Sequence, residues 1–372
     1  MKIRLEGHKL KIKTLCFVFL LLCLSSPFCV VASEGSLSGR VVIVDAGHGI
    51  GSPGGVLLQY GYFEHQRMFV LANYLRDELK SRGATVHMTR ACHMNVPLPV
   101  RPAMMNRWSI ETLLSDRLSR LKKGNPSIRE RIELVEEINR LEASLDLLNK
   151  VIYNHRQYAP IYLNYPFDYT LQTRIHPLWQ QILEFQSDPI IRYNWLAISL
   201  HSNGTSSPMA SGADVFFSAN NNPRNRRYFA NYSHQDITEL FGKMLLDAIA
   251  QLGIRANRAR MHHFMVIRET NIPAVLTENG YHTNAQDRRL LMDDNFMQRL
   301  AISYAQTIEA YFAQINYDRH QNYEYAPNIS EAFAWLTHSR AVWLHSRILM
   351  RAPTNINTTY VCNWYWFSYT SE

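Results

Sequence analysis

The strongest constraint on the fold is an alternation that recurs along the chain. Short, apolar, β-branched runs stop at a polar residue, and helical spacing follows or intervenes. Arg40-Val-Val-Ile-Val-Asp45 is the first such run and ends in a Gly-rich turn. Others are Thr85-Val-His-Met-Thr-Arg90, Trp195-Leu-Ala-Ile-Ser-Leu200, Gly212-Ala-Asp-Val-Phe-Phe-Ser218 and Ala274-Val-Leu-Thr277. Each has the length and β-branched content of a buried strand. Residues 64–82 place Phe69, Val70, Leu71, Tyr74, Leu75 and Leu79 at amphipathic-helix spacing, and Gly83 stops that helix. Residues 237–252 and 287–312 also read as helices. Strands alternating with helices predict an α/β fold, a mostly parallel sheet flanked by helices on both faces. With 372 residues the chain can hold one sizeable domain plus additional elements.

Two segments lie outside that alternation. The first is an insertion at about 109–192. Leu114, Leu118 and Leu121 form a helical stripe that Gly124-Asn125-Pro126 breaks. Ser127 and Glu130 then have capping-box spacing. Ile128, Ile132, Val135, Ile138, Leu141, Leu145, Leu148 and Ile152 follow at intervals of three and four. The pattern predicts a helical hairpin with a narrow apolar seam, and residues 158–193, rich in Tyr, Pro and Trp, read as irregular. The second segment is the aromatic-rich extension 317–372, with a candidate helix at 330–350.

The N-terminus reads as an export leader. Lys2, Arg4, Lys9, Lys11 and Lys13 precede the apolar run 15–24, and Val30-Val31-Ala32 offers a cleavage site after Ala32. This makes 1–32 a signal peptide and 33–316 the catalytic domain. Alternatives are an uncleaved anchor and lipid attachment at Cys23 or Cys29, where the preceding Leu22 and Phe28 are bulky. Export leaves Cys92 and Cys362 as a potential single bridge. Removing the leader's five Lys/Arg and one acid lowers the formal charge from +8 to +4. A mildly basic exported protein suits an anionic cell envelope, periplasmic or extracellular, and not nucleic acid. The mature chain has no apolar stretch of spanning length.

Four chemistry-bearing residues fall at strand ends or helix starts. His48 lies in Asp45-Ala-Gly-His48-Gly-Ile-Gly after the first strand, where ligands bind in open α/β sheets. Glu64 opens the next helix, His201 follows the third run, and Glu278 follows the fifth. An acid at the end of an apolar strand is costly unless paired or functional. Two imidazoles and a carboxylate make a catalytic zinc set that keeps one position open for water. A further carboxylate can act as base and then as acid toward a leaving amine. These residue types predict one zinc ion held by His48, Glu64 and His201, with Glu278 as the catalytic base.

The same segments resemble the zinc-dependent N-acetylmuramoyl-L-alanine amidases of the type 3 family. The resemblance rests on five ordered motifs: Val-Val-Ile-Val-Asp-Ala-Gly-His48-Gly, Gly61-Tyr62-Phe63-Glu64, Arg82-Gly83 with Thr89-Arg90, Ala197-Ile-Ser-Leu-His201-Ser-Asn203, and the stretch 268–284 containing Glu278. It covers about 40–108 and 193–313. It implies a six-stranded sheet, one zinc ion, and cleavage between the muramic acid lactyl group and L-alanine of peptidoglycan. Arg268 and Asn203, within these motifs, are candidate substrate-binding residues. Departures are Ala46 in place of Pro, Ser52-Pro53-Gly54-Gly55 in place of an acidic loop, and Asn279 and Tyr281 beside the base. Rival readings are a zinc carboxypeptidase-like hydrolase, against which Gly-Ile-Gly after His48 argues, and a non-catalytic peptidoglycan-binding protein. The hairpin could cover the cleft, dock a protein activator, or serve as a packing element or dimer contact.

Overall fold

A computed structural model describes residues 35–162, 176–219, 232–262 and 264–322. The leader, the candidate helix at 330–350 and Cys362 lie outside the described residues. Cys92 is disulfide-bonded.

The five apolar runs form β1 (Val41–Ala46), β4 (Thr85–Met88), β5 (Trp195–Asn203), β6 (Ala213–Phe217) and β8 (Ala274–Tyr281). They belong to a six-stranded sheet of order β4-β1-β5-β8-β6-β7, where β7 is Ala256–Met261. β4, β1, β5 and β8 are parallel, β6 runs antiparallel to β8, and β7 is parallel to β6. The sequence reading contains no run at 256–261. The strand Ala-Asn-Arg-Ala-Arg-Met is mostly exposed, and charged edge strands of this kind lack an apolar run and resist further pairing.

Alternation along the strands sorts the core into two layers. Val42, Val44, Leu196, Ile198, Val215 and Val275 pack with α1 (Glu64–Ser81), α7 (Gln235–Gln251) and α10 (Asp294–Asn322). Val41, Ile43, Trp195, Ala197, Phe216 and Leu276 face the other way, toward α2 (Val100–Lys123), α3 (Ile128–Tyr153) and α5 (Pro177–Phe185). Before α1, the short strands β2 (Val56–Leu57) and β3 (Tyr62–Phe63) pair across a turn at Leu58–Tyr60. The stretch 287–312 is two helices, α9 (Ala285–Met292) and α10, separated at Asp293. α10 continues to Asn322, so the boundary expected at 316/317 falls inside a helix.

The hairpin forms, with Ser127 and Glu130 making a reciprocal capping box, but the expected seam is only half buried: Ile128, Ile132 and Val135 are exposed, whereas Leu134, Leu147 and Val151 are buried. Its first helix starts at Val100, upstream of Ser109. Leu141, Leu147, Leu148 and Val151 are buried with Ile110, Leu113, Trp179 and Ile182, so the inner half of the hairpin forms the second core layer. The segment read as irregular contains helices α4 (His155–Tyr162), α5 and α6 (Pro189–Asn194). Pro177 and Pro189 open α5 and α6 directly after the capping side chains of His176 and Asp188. Proline suits that first position because its missing N–H has no intrahelical partner there. Leu141→Ala is expected to cost about 2–5 kcal/mol in denaturant unfolding. A change under about 0.5 kcal/mol would mark the hairpin as an appendage. Among the described residues no helix is long and apolar enough to cross a membrane.

Candidate metal centre

His48, Glu64 and His201 converge, with one potential ligand atom from each lying within 4.8 Å of the others. Three separate elements bring them there. His48 is in the turn after β1, Glu64 is the first residue of α1, and His201 is on β5. His48 Nε2 is 3.3 Å and His201 Nδ1 3.2 Å from the same oxygen, Glu64 Oε1. Zinc ligands at about 2.0–2.1 Å in a tetrahedron sit about 3.3 Å apart, so the donor types and the two His–Glu64 spacings suit that ion. Burial alone would raise the Glu64 carboxyl, but hydrogen bonding to His201 and His48 outweighs it and holds Glu64 well below the usual carboxylate range.

Backbone amides complete the hold on Glu64. Gly55 N–H donates to Oε2 at 2.7 Å and Ser202 N–H to Oε1 at 3.1 Å. In return Glu64 N–H donates to Gly55 O at 2.9 Å and His65 N–H to Pro53 O at 3.3 Å, which fills two of the open donors at the start of α1. These contacts give Ser52-Pro53-Gly54-Gly55 a structural role beside Glu64. A Cβ at Gly54 would lie 2.5 Å from both Glu64 Oε2 and His48 Cδ2, and the φ of Gly54 is +70°. Only glycine allows the loop to pass so close to the Glu64 carboxylate and the His48 ring.

His48 itself has φ +60°, a left-handed conformation costing a non-glycine residue about 1–2 kcal/mol. Two buried arginines hold the turn in that shape. Arg101, from α2, donates to Ala46 O at 2.7 Å, to His48 O at 2.6 Å and to Asp45 Oδ1 at 2.6 Å. Arg90 donates to Ala46 O at 3.1 Å and His65 O at 2.7 Å. Thr89 and Ser199 hydroxyls also donate to Asp45. Burial would raise the Asp45 carboxyl; Arg101, Ser199 and Thr89 together override it and set it at about 2. Asp45 therefore adds stability above its unfolded value near about 4, and that stability is lost as pH falls toward 2. Arg101→Met leaves Asp45 buried and unpaired. At neutral pH it is expected to cost about 3–5 kcal/mol, with the gap from the parent narrowing below about pH 4 in denaturant unfolding series.

Glu278 sits directly beside His201 in the β5–β8 register and opposite Asp214 across β6. Its Oε2 is buried with no hydrogen-bond partner among the described residues. Burial, then Glu64 and Asp214, push its carboxyl well above the ordinary value. Asn279, one of the departures, is buried. It donates to His201 O at 2.8 Å and accepts from Tyr304, anchoring the strand that carries His201. Asn203 ends β5 half-buried, its side-chain oxygen accepting Gly204 N–H at 2.8 Å. Arg268, in the short helix α8 (Met265–Arg268), is buried and paired with Glu269 at 2.7 Å. Sequence reasoning did not single out Arg101 or Ser202. An arginine eleven residues beyond Arg90 carries no local signal, because its partners are carbonyls of a distant turn.

A family model described as N-acetylmuramoyl-L-alanine amidase (Amidase_3) matches residues 42–115 and 192–310, leaving most of the hairpin unmatched. The sporulation-specific N-acetylmuramoyl-L-alanine amidase of Bacillus subtilis (strain 168) is 31% identical over 105 residues, 27% of this chain and 41% of that relative. The N-acetylmuramoyl-L-alanine amidase CwlM of Bacillus licheniformis is 28% identical over 142 residues, 37% of this chain and 56% of its own length. The chain thus spans about half the length of these curated relatives. Among solved structures, the catalytic domain of CwlV, an N-acetylmuramoyl-L-alanine amidase from Bacillus (Paenibacillus) polymyxa var. colistinus, aligns with 74% of this chain and 98% of its own at 19% identity and a TM-score of 0.42. The family match takes in over half of the 372 residues, both histidines and both glutamates included, and the chain belongs to the N-acetylmuramoyl-L-alanine amidase family.

Proposed function

We propose that this chain is a zinc-dependent N-acetylmuramoyl-L-alanine amidase that hydrolyses the amide between the muramic acid lactyl group and the L-alanine of peptidoglycan stem peptides. The observation that carries this reading is the convergence of His48, Glu64 and His201 beside a buried, partnerless Glu278 oxygen. Zinc held there would supply Lewis acidity to the scissile carbonyl and to the attacking water. Glu64, His48 and His201 would hold the ion. Glu278, beside His201 with one buried oxygen unpartnered among the described residues, takes the water proton and delivers it to the departing L-alanine nitrogen. Asn203 and Arg268 are proposed as substrate-binding residues, Asn203 from the end of β5 and Arg268 from α8, where it is buried and paired with Glu269.

The proposed setting is cell-wall remodelling or cell separation, after export by the leader. The hairpin's outer half exposes Ile128, Ile132 and Val135 on successive turns. That stripe is where a protein activator would dock. Chelation separates the enzyme from a binding module. Dialysis against a zinc chelator is expected to abolish release of soluble fragments from dye-labelled peptidoglycan, and stoichiometric zinc to restore it. Undiminished release by metal-free protein, or sedimentation with the wall and no release under any condition, contradicts the proposal.

A further inference from the structure

His282 has no part in the chemistry above, yet its ring lies against the two residues that present amides to Glu64. It is buried and follows β8. Its Nδ1 is 3.1 Å from Ser202 Oγ, and that oxygen is 2.6 Å from the Tyr62 hydroxyl. The His282 ring stacks on Tyr62, with centroids 5.2 Å apart and planes within 17°. It is wedged between two glycines: a Cβ at Gly55 would come 2.1 Å from His282 Cε1, and one at Gly204 2.5 Å from Nε2.

Gly55 and Ser202 are also the residues whose N–H groups donate to the two oxygens of Glu64. They come from different segments, the loop before β2 and strand β5, so their spacing is not fixed by a common element. His282 touches both. We propose that His282 is a positioning residue for the metal ligand Glu64, acting through Ser202 and Gly55 to fix the two amides that orient its carboxylate. A carboxylate ligand whose accepting directions are both fixed meets the ion without reorganising, which is how groups behind metal ligands raise metal affinity. The proposal rests on the reading of His48, Glu64 and His201 as a zinc centre.

The test compares zinc affinity, by competition with a chromogenic chelator, in the full chain and in His282→Phe, His282→Asn, Ser202→Ala and the double variant His282→Phe/Ser202→Ala. Phenylalanine keeps the stacking and most of the volume but loses the hydrogen bond. His282→Phe is expected to weaken zinc binding by about 10-fold or more, Ser202→Ala to do so by a similar factor, and the double variant to fall within about twofold of the weaker single. His282→Asn, which retains a hydrogen-bonding group near the Nδ1 position, is expected to recover part of the loss. Thermal unfolding of the metal-free proteins runs alongside, because a purely structural histidine would lower the melting temperature and leave zinc affinity where it was. Parent-like zinc affinity in folded His282→Phe, or losses from the two substitutions that multiply independently, overturns the proposal. If His282→Phe does not fold, Ser202→Ala decides alone, and parent-like affinity there overturns it. A parent chain that takes up no zinc defeats the metal-centre reading and this proposal together, whereas a zinc-binding parent with unaffected variants defeats this one only.

Discussion

Glu278→Gln is expected to bind zinc like the parent chain and to turn over peptidoglycan about 10²–10⁴-fold more slowly. The amide matches the carboxylate in shape and cannot accept a proton from water. Glu278 shares a register position with His201, faces Asp214, and keeps a buried oxygen free of partners among the described residues. No stabilising contact explains that arrangement, since three carboxylates brought near one another repel. Removing one negative charge should therefore raise the stability of the metal-free protein while the rate collapses, the trade expected where a strained group serves chemistry. Denaturant unfolding and single-turnover assays on the same preparation check both halves. An unchanged rate with intact zinc would assign the proton transfers to another group.

His201→Ala is expected to remove both metal and activity. It takes away one of the three proposed ligand atoms, so zinc affinity should fall by more than the 10–100-fold typical of changes behind the ligands. Zinc binding to the native state stabilises the parent by about 4 kcal/mol when free zinc is a thousand times the dissociation constant. That increment should disappear in His201→Ala at the same zinc concentration. Metal content after dialysis and melting temperature with and without zinc are the readouts. A variant that retains stoichiometric zinc would place the ion elsewhere.

The central sheet and the polar residues that end its apolar runs are legible in the sequence for one reason. Strands buried on both faces need continuous apolar runs, and a polar residue ending such a run stands out, as Asp45, His201 and Glu278 do. The features that stay hidden are long-range or polar. β7 is an arginine-bearing edge with no apolar run. The helices α5 and α6 are announced only by a capping side chain and a proline within aromatic, proline-rich surroundings. Arg101 reaches His48 and Asp45 across more than fifty residues of sequence, and Ser202 on β5 meets His282 in the turn after β8, so no spacing rule joins them. The hairpin shows its seam in sequence, but not which surface the seam meets. Its inner half packs in the sheet's second layer, the packing role among the three expected for it.

The most direct measurement is mass spectrometry of purified peptidoglycan digested by the zinc-loaded, leaderless protein, beside Glu278→Gln. The expected products are intact stem peptides with a free L-alanine amino terminus, together with glycan strands that keep their lactyl groups, both absent with the variant. Cleavage within the stem peptide or the glycan, or release that persists in Glu278→Gln, would contradict the amidase assignment.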